Sequence, residues 1–333
     1  MKNKKLVPVT VLVGFLGAGK TTLLNNILIQ NHGLKIACIV NDFSELNVDA
    51  QLVKQEKDKI IEMSNGCICC TLREDLLVAI TEISERTDID YIIIESTGIG
   101  EPLPIAQTFY MGNLPELVKL DAIITVVDAA SFWKTYNRKD VIEDVNGNKV
   151  ESSLCNLLVD QIEFSNIIVL NKTGIALSHD VNTFQSYVKN LNPTAKIIRT
   201  SDANIYYSEI LNTNLYDYEK GMTAPKWQDE WQNVSKESDE YGFNNVVYRS
   251  NKVFSFSKFQ EILKNWPDNV LRAKGFITFD GHEGAFISYA GDEMFIEKVN
   301  IRKNVSNFVS EVVFIGINVN RENIESMMNY IQA

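Results

Sequence analysis

Short apolar runs recur along the first two thirds of the chain, separated by stretches with helical spacing. Val9–Val13, Lys35–Asn41, Lys59–Met63, Tyr91–Glu95, Ala122–Val127, Asn166–Leu170 and Lys196–Thr200 are rich in β-branched residues. Such runs predict strands buried on both faces. Strands that alternate with helices predict an α/β fold, a doubly wound and mostly parallel sheet. Val145-Asn146-Gly147-Asn148-Lys149 carries an Asn-Gly turn signal and predicts a surface excursion. The pattern then changes. Residues 216–244 are polar with scattered aromatics and predict a connector. Beyond them, Phe259, Ile262, Leu263 and Trp266 form an i, i+3, i+4, i+7 stripe, as do Ile324, Met327, Met328 and Ile331. Two helices flanking strand-like runs predict a smaller α+β domain over 245–333, after an α/β domain over 1–215.

Composition narrows the class. A chain of 333 residues can bury two cores. No apolar run approaches the roughly 18 residues that span a bilayer. The basic start, Met1-Lys2-Asn3-Lys4-Lys5, leads into a strand rather than a cleavage site, so a signal peptide is not expected. The excess of 43 acidic over 32 basic residues, net −11, argues against nucleic acid or an anionic membrane as partner. Of 5 cysteines, three crowd into Cys67-Ile68-Cys69-Cys70, which is no disulfide framework. A cytoplasmic protein is expected.

The first run feeds Gly14-Phe15-Leu16-Gly17-Ala18-Gly19-Lys20-Thr21-Thr22, a complete G-x-x-x-x-G-K-T phosphate loop, and a helical run follows it toward Gly33. Glycines at 14, 17 and 19, with Ala18 between, let backbone N–H groups wrap a phosphate at a helix N-terminus. Lys20 can reach the β- and γ-phosphates, and the Thr21 hydroxyl can hold Mg²⁺, with Thr22 beside it. The run at Tyr91 ends on Glu95, a second Mg²⁺ candidate, and Gly98 lets a backbone N–H approach the γ-phosphate. Lys20 and Glu95 are therefore the catalytic candidates.

The cysteine loop precedes Thr71-Leu72-Arg73-Glu74, a capping box, so the thiols sit at a helix N-terminus that favours thiolate. Thiolates suit Zn²⁺ and other borderline or soft ions, and one loop cannot readily close a four-coordinate site. An open site fits transfer. Buried small residues near the loop, or a C-x-x-C redox pair of Cys67 and Cys70, are the competing readings.

Together these motifs resemble the CobW family of P-loop GTPases. The resemblance runs through Glu95-Ser96-Thr97-Gly98, Glu101-Pro102, Gln161-Ile162, Leu271-Arg272-Ala273-Lys274-Gly275-Phe276 and Val313-Phe314-Ile315-Gly316. It implies a P-loop GTPase domain over 1–215, a CobW-type C-terminal domain over 245–333, and a GTP-dependent metallochaperone. Such a protein would deliver zinc, cobalt or iron to a client metalloprotein, with Cys67, Cys69 and Cys70 as metal ligands. Asn41–Asp49 resembles the first switch region, with Asp42 and Ser44 where the family has Glu and Gly. Asp49 is a further metal candidate there, against a plain solvated loop charge. Asn171-Lys172-Thr173-Gly174 resembles the base-recognition motif, where the family has Asn-Lys-x-Asp. Asn171 and Lys172 can still contact the base, and Ser201 or Asp202 can contribute.

Only His32, His179 and His282 represent histidine, so no histidine-rich metal store exists. No arginine finger or water-orienting glutamine stands out, so unaided hydrolysis is expected to be slow. Two rival readings stay open at this point: a metal-independent NTPase or small-molecule kinase, and a nucleotide-bound redox or metal sensor.

Overall fold

Strand β1 (Val7–Val13) is buried along its length apart from Pro8, and its neighbours explain why. In the computed structural model, which describes residues 6–40, 72–143, 149–217, 241–281, 284–298 and 309–333, β1 lies inside a six-stranded sheet. The other strands are β2 (Ile36–Ile39), β3 (Tyr91–Glu95), β4 (Val118–Asp128), β7 (Ile167–Asn171) and β8 (Lys196–Arg199). Their order is β2-β3-β1-β4-β7-β8, and every pairing is parallel. Period-two alternation sorts the side chains onto two cores. Val9, Val11, Ile92 and Ile94 join Ile80 and Ile83 of helix α2 (Leu72–Glu85) on one face. Leu12, Tyr91 and Ile93 join Leu23, Leu24 and Ile27 of helix α1 (Lys20–Leu28) on the other. The doubly wound sheet is as the alternation predicts, with the strand order reversing about β1.

Two boundaries differ from the sequence reading, each for a local reason. Helix α1 stops at Leu28 instead of running on toward Gly33. Gln30 satisfies the helix end: its Nε2 donates to Asn26 O at 2.9 Å and to Ile205 O at 2.8 Å. Its Oε1 accepts from Tyr207 N at 2.9 Å. His32 Nδ1 accepts from Leu34 N at 3.1 Å, in the turn that brings the chain to Gly33. Strand β4 starts at Val118, earlier than expected, and carries a register shift between Val9 and Thr10 of β1 that leaves Asp121 as the extra residue. This bulge re-aims the Asp121 carboxylate into the interior. There it accepts from Tyr91 Oη (2.7 Å), Thr213 N (3.0 Å), Thr213 Oγ1 (3.2 Å) and Asn214 N (2.6 Å). A buried charge is tolerated when its lone pairs are met in this way.

The chain packs as two compact units. One is drawn from segments 1–132, 160–181 and 194–226, the other from 133–159, 182–193 and 227–333. The second unit holds the antiparallel sheet β12-β11-β10-β13-β9, made of β9 (Phe243–Ser250), β10 (Val270–Ile277), β11 (Ala285–Ala290), β12 (Glu293–Lys298) and β13 (Ser310–Ile317). Helices α7 (Phe256–Leu263) and α8 (Arg321–Tyr330) cover its apolar face through Phe259, Ile324 and Met328. Asn320 caps α8 by accepting from Asn323 N at 3.1 Å. Trp266 falls beyond the end of α7, before Pro267, and packs on Tyr289 instead of continuing the helix. Arg272 in β10 is fully buried and donates to Ser288 Oγ at 2.9 Å and Asn156 Oδ1 at 3.2 Å. The hairpin β5 (Lys139–Glu143) with β6 (Lys149–Ser153) flanks the predicted Asn-Gly excursion, whose residues 144–148 lie outside the described residues. So do the Lys59–Met63 run, most of the 216–244 connector and His282. Among the described residues no helix is long and apolar enough to cross a membrane.

Candidate functional site

The parallel strands end together, and the chain turns sharply at the end of β1. Gly14 and Gly19 adopt φ of +139° and +107°, values that side chains resist. Close approach adds a second reason for glycine. A Cβ on Gly14 would stand 2.2 Å from Val126 O, and one on Gly19 would stand 2.3 Å from Asn171 Nδ2. The loop opens α1, whose N-terminal N–H groups face anions by geometry and by dipole.

Lys20 is buried, and its ammonium donates to Gly14 O at 2.8 Å and Phe15 O at 3.3 Å. The cation is thus folded over the loop that the glycines shape. Thr21 Oγ1 donates to Glu95 Oε1 at 2.7 Å, joining the start of α1 to the end of β3. A hydroxyl and a carboxylate side by side are hard oxygen donors, the kind that Mg²⁺ prefers. Gly98 packs tightly on the loop, since a Cβ there would stand 2.4 Å from Leu16 Cδ2. Nearby, Gln161 Nε2 donates to Gly100 O at 3.0 Å.

Asn171 ends β7 and acts as a staple. Its Nδ2 donates to Ala18 O at 2.9 Å, and its Oδ1 accepts from Ala203 N at 2.8 Å. The side chain therefore ties the phosphate loop to the loop after β8. Lys172, at φ +61°, turns its ammonium onto Asp128 Oδ2 at 2.7 Å. Asp128 also accepts from Ala130 N and Ser131 N through Oδ1. Burial raises its pKa, but the hydrogen bonds from Lys172 and Ser131 outweigh this and hold the carboxyl below the usual aspartate value. Sequence reasoning passed over Asp128, although it closes an apolar run just as Glu95 does.

The structure brings Gly14, Gly17, Ala18, Gly19, Lys20, Thr21, Thr22, Glu95, Gly98, Asn171 and Lys172 to this one edge of the sheet. Asp42, Glu45, Asp49, Cys67, Cys69, Cys70 and Thr71 lie outside the described residues. Among the described residues no cluster of His, Cys, Asp and Glu could hold a metal ion. Cys38, in β2, is fully buried, and burial with the nearby Glu95 charge pushes its thiol up to about 12. Burial of this kind disfavours the thiolate that a metal ligand supplies.

The chain is similar to known proteins. The CobW/HypB/UreG nucleotide-binding domain profile matches residues 8–199, and the cobalamin synthesis protein CobW C-terminal domain profile matches residues 243–331. Over 296 residues the chain is 42% identical to the zinc-regulated GTPase metalloprotein activator 1 of Dictyostelium discoideum, covering 81% of this chain. The aligned region spans 62% of that relative's own length. It is 31% identical to the zinc chaperone CobW of a Sinorhizobium species, covering 84% of this chain and 83% of the relative. Among solved structures it resembles a Zn(II)-bound triple mutant of the YjiA GTPase, with a TM-score of 0.51 at 25% identity over 99% of this chain and 100% of the other. Two matched domains in series, the first of them built on the sheet that carries the phosphate loop, make this chain a member of the CobW family of P-loop GTPases.

Proposed function

We propose that the chain is a GTP-hydrolysing zinc chaperone. It would bind Mg²⁺·GTP at the loop between β1 and α1 and hold a transition ion on Cys67, Cys69 and Cys70. Zinc is the first choice of ion, with cobalt or iron as alternatives, and the ion would pass to a client metalloprotein. The observation that carries the nucleotide half is the juxtaposition of Lys20, Thr21 and Glu95 beside a loop whose Gly14 and Gly19 leave no room for a Cβ. Two relatives, a zinc chaperone and a zinc-regulated GTPase metalloprotein activator, support the metal half.

The roles follow from the chemistry of each group. Lys20 exchanges the loop carbonyls for phosphate oxygens, where its charge offsets the charge that builds as the γ-phosphoryl leaves. Backbone N–H groups of Gly17 to Thr22 orient the phosphates. Thr21 and Glu95 would hold Mg²⁺, which when bound neutralises charge on the phosphate oxygens. Asn171 fixes the loops that flank the base. Gly98 couples the segment after β3 to the phosphate loop through Leu16. Asp49 is a candidate metal ligand in the same scheme. The cytoplasm, which keeps thiols reduced, is the proposed setting.

The test is metal content. The chain is purified under reducing conditions and its bound metals are counted with GTP and with GDP. The expected result is zinc in stoichiometric amount with GTP, lost when Cys67 or Cys69 becomes Ser. Metal content indifferent to both nucleotide and cysteine would overturn the chaperone reading, and phosphate appearing on an added metabolite would mark a kinase.

A further inference from the structure

We propose that Ser201 reads the nucleobase in the place of a side chain at position 174, and that its hydroxyl lets the site accept adenine as well as guanine. The inference rests on the nucleotide reading above, which puts the base against the loops after β7 and β8.

Those two loops are laced together. Thr173 N and Thr173 Oγ1 both donate to Thr200 O, at 3.1 and 3.0 Å. Ala203 N donates to Asn171 Oδ1, and Asn171 in turn holds the phosphate loop at Ala18. This lacing sets Gly174 against Ser201: a Cβ at 174 would stand 2.7 Å from Ser201 Oγ and 3.2 Å from its Cβ. Gly174 is not in the left-handed region, so its backbone would admit a side chain. A side chain there would need the Ser201 hydroxyl to rotate away and the Ser201 Cβ to give by a few tenths of an ångström. Both residues are exposed and so open to a ligand.

The exchange changes what the site can distinguish. Guanine presents N–H donors on the edge where adenine presents the N1 acceptor. A carboxylate only accepts, so it favours guanine and repels adenine. A serine hydroxyl donates one hydrogen and accepts at two lone pairs, and it rotates to suit. It can meet either purine. Asp202 is the neighbouring competitor, and its carboxylate, which only accepts, would favour guanine over adenine.

The experiment uses the full chain and displacement of a fluorescent nucleotide by GTP, ATP or inorganic tripolyphosphate at fixed Mg²⁺. The parent should bind GTP and ATP within about tenfold of one another, since one hydroxyl supplies less discrimination than a bidentate contact. Ser201→Ala should weaken both purines by a similar factor of roughly 3–10 while leaving tripolyphosphate displacement unchanged. The double variant Gly174→Asp with Ser201→Gly, which clears space for the carboxylate, should widen the GTP-to-ATP ratio by about tenfold or more. Purine affinities untouched by Ser201→Ala, or GTP binding lost in Asp202→Ala alone, would overturn the assignment. A parent that binds neither tripolyphosphate nor nucleotide would instead overturn the nucleotide reading beneath it.

Discussion

Thr21 Oγ1 lies 2.7 Å from Glu95 Oε1, so the first turn of α1 and the last residue of β3 share a hydrogen bond across the sheet edge. The two residues are far apart in sequence, and neither apolar run announces the other. Their meeting follows from the parallel pairing of β1 with β3, which registers Leu12 against Glu95 and so brings both loops out at one level. Functional groups collect there because parallel strands deliver their ends to a common crevice.

Lys20→Ala should lower GTP hydrolysis by a factor of about 10²–10³, the usual loss for one preorganised charge at a transition state. Thr21→Ala should raise the Mg²⁺ concentration needed for half-maximal hydrolysis. Melting midpoints should show both variants folded. Parent rates in both would mean that this loop does not bind the nucleotide.

The glycines of the loop should rank by geometry. Gly17 has φ +72° with nothing near its missing Cβ, so Gly17→Ala should cost only backbone strain, about 1–2 kcal/mol. Gly14→Ala adds a collision with Val126 O and should cost more. Urea denaturation of the two variants checks the order.

The Asp128–Lys172 pair sets an acid limit. A carboxyl held below its ordinary value of about 3.9 contributes stability that is present above that pH and is lost as pH falls through the folded value. Lys172→Met removes one of the groups that depress it, so the acid unfolding midpoint should move upward. Thermal melts between pH 3 and 7 would reveal this, with the two proteins diverging most above about pH 4.

Nucleotide and cargo should be linked. If GTP orders the loops around Asp42–Asp49 and Glu95–Gly98, it raises affinity for the transferred ion, and the ion must raise affinity for GTP by the same factor. A coupling of roughly 1–3 kcal/mol, a factor of about 5–150, would make a useful switch. Zn²⁺ and Co²⁺ competition titrations with GDP and with a non-hydrolysable GTP analogue measure it. Cys67→Ser or Cys69→Ser should erase the difference while Mg²⁺·GTP binding persists. Equal metal affinities in the two nucleotide states would refute the cycle.

How legible this was depended on what each residue does with its neighbours. Tyr91–Glu95 was readable to the residue, because an unbroken apolar run from Tyr91 to Ile94, bounded by Asp90 and Glu95, has one stable use inside a parallel sheet. The start of β4 was not, because Asp121 reads as a breaker until Tyr91, Thr213 and Asn214 are seen to satisfy it. The end of α1 was hidden in the same way, in a Gln30 side chain whose partners come from a distant loop. The phosphate loop was plain, since its chemistry is local in sequence. The double role of Asn171 and the packing of Gly174 on Ser201 were not, being products of two loops brought together. The candidate metal ligands Asp49, Cys67, Cys69 and Cys70 lie outside the described residues.

The anchoring of Asp121 bears on how the nucleotide-binding half could be isolated. The matched domain profile ends at residue 199, yet donors to this carboxylate come from Thr213 and Asn214. A fragment cut at 199 would take the Thr213 and Asn214 donors from this buried carboxylate and leave it the hydrogen bond from Tyr91 Oη. It would also strip Ile205, Ile210 and Leu211 from the core that α1 packs into. The tail from 200 to 217 is therefore the last stitch of the first sheet, and a fragment meant to fold alone should keep it.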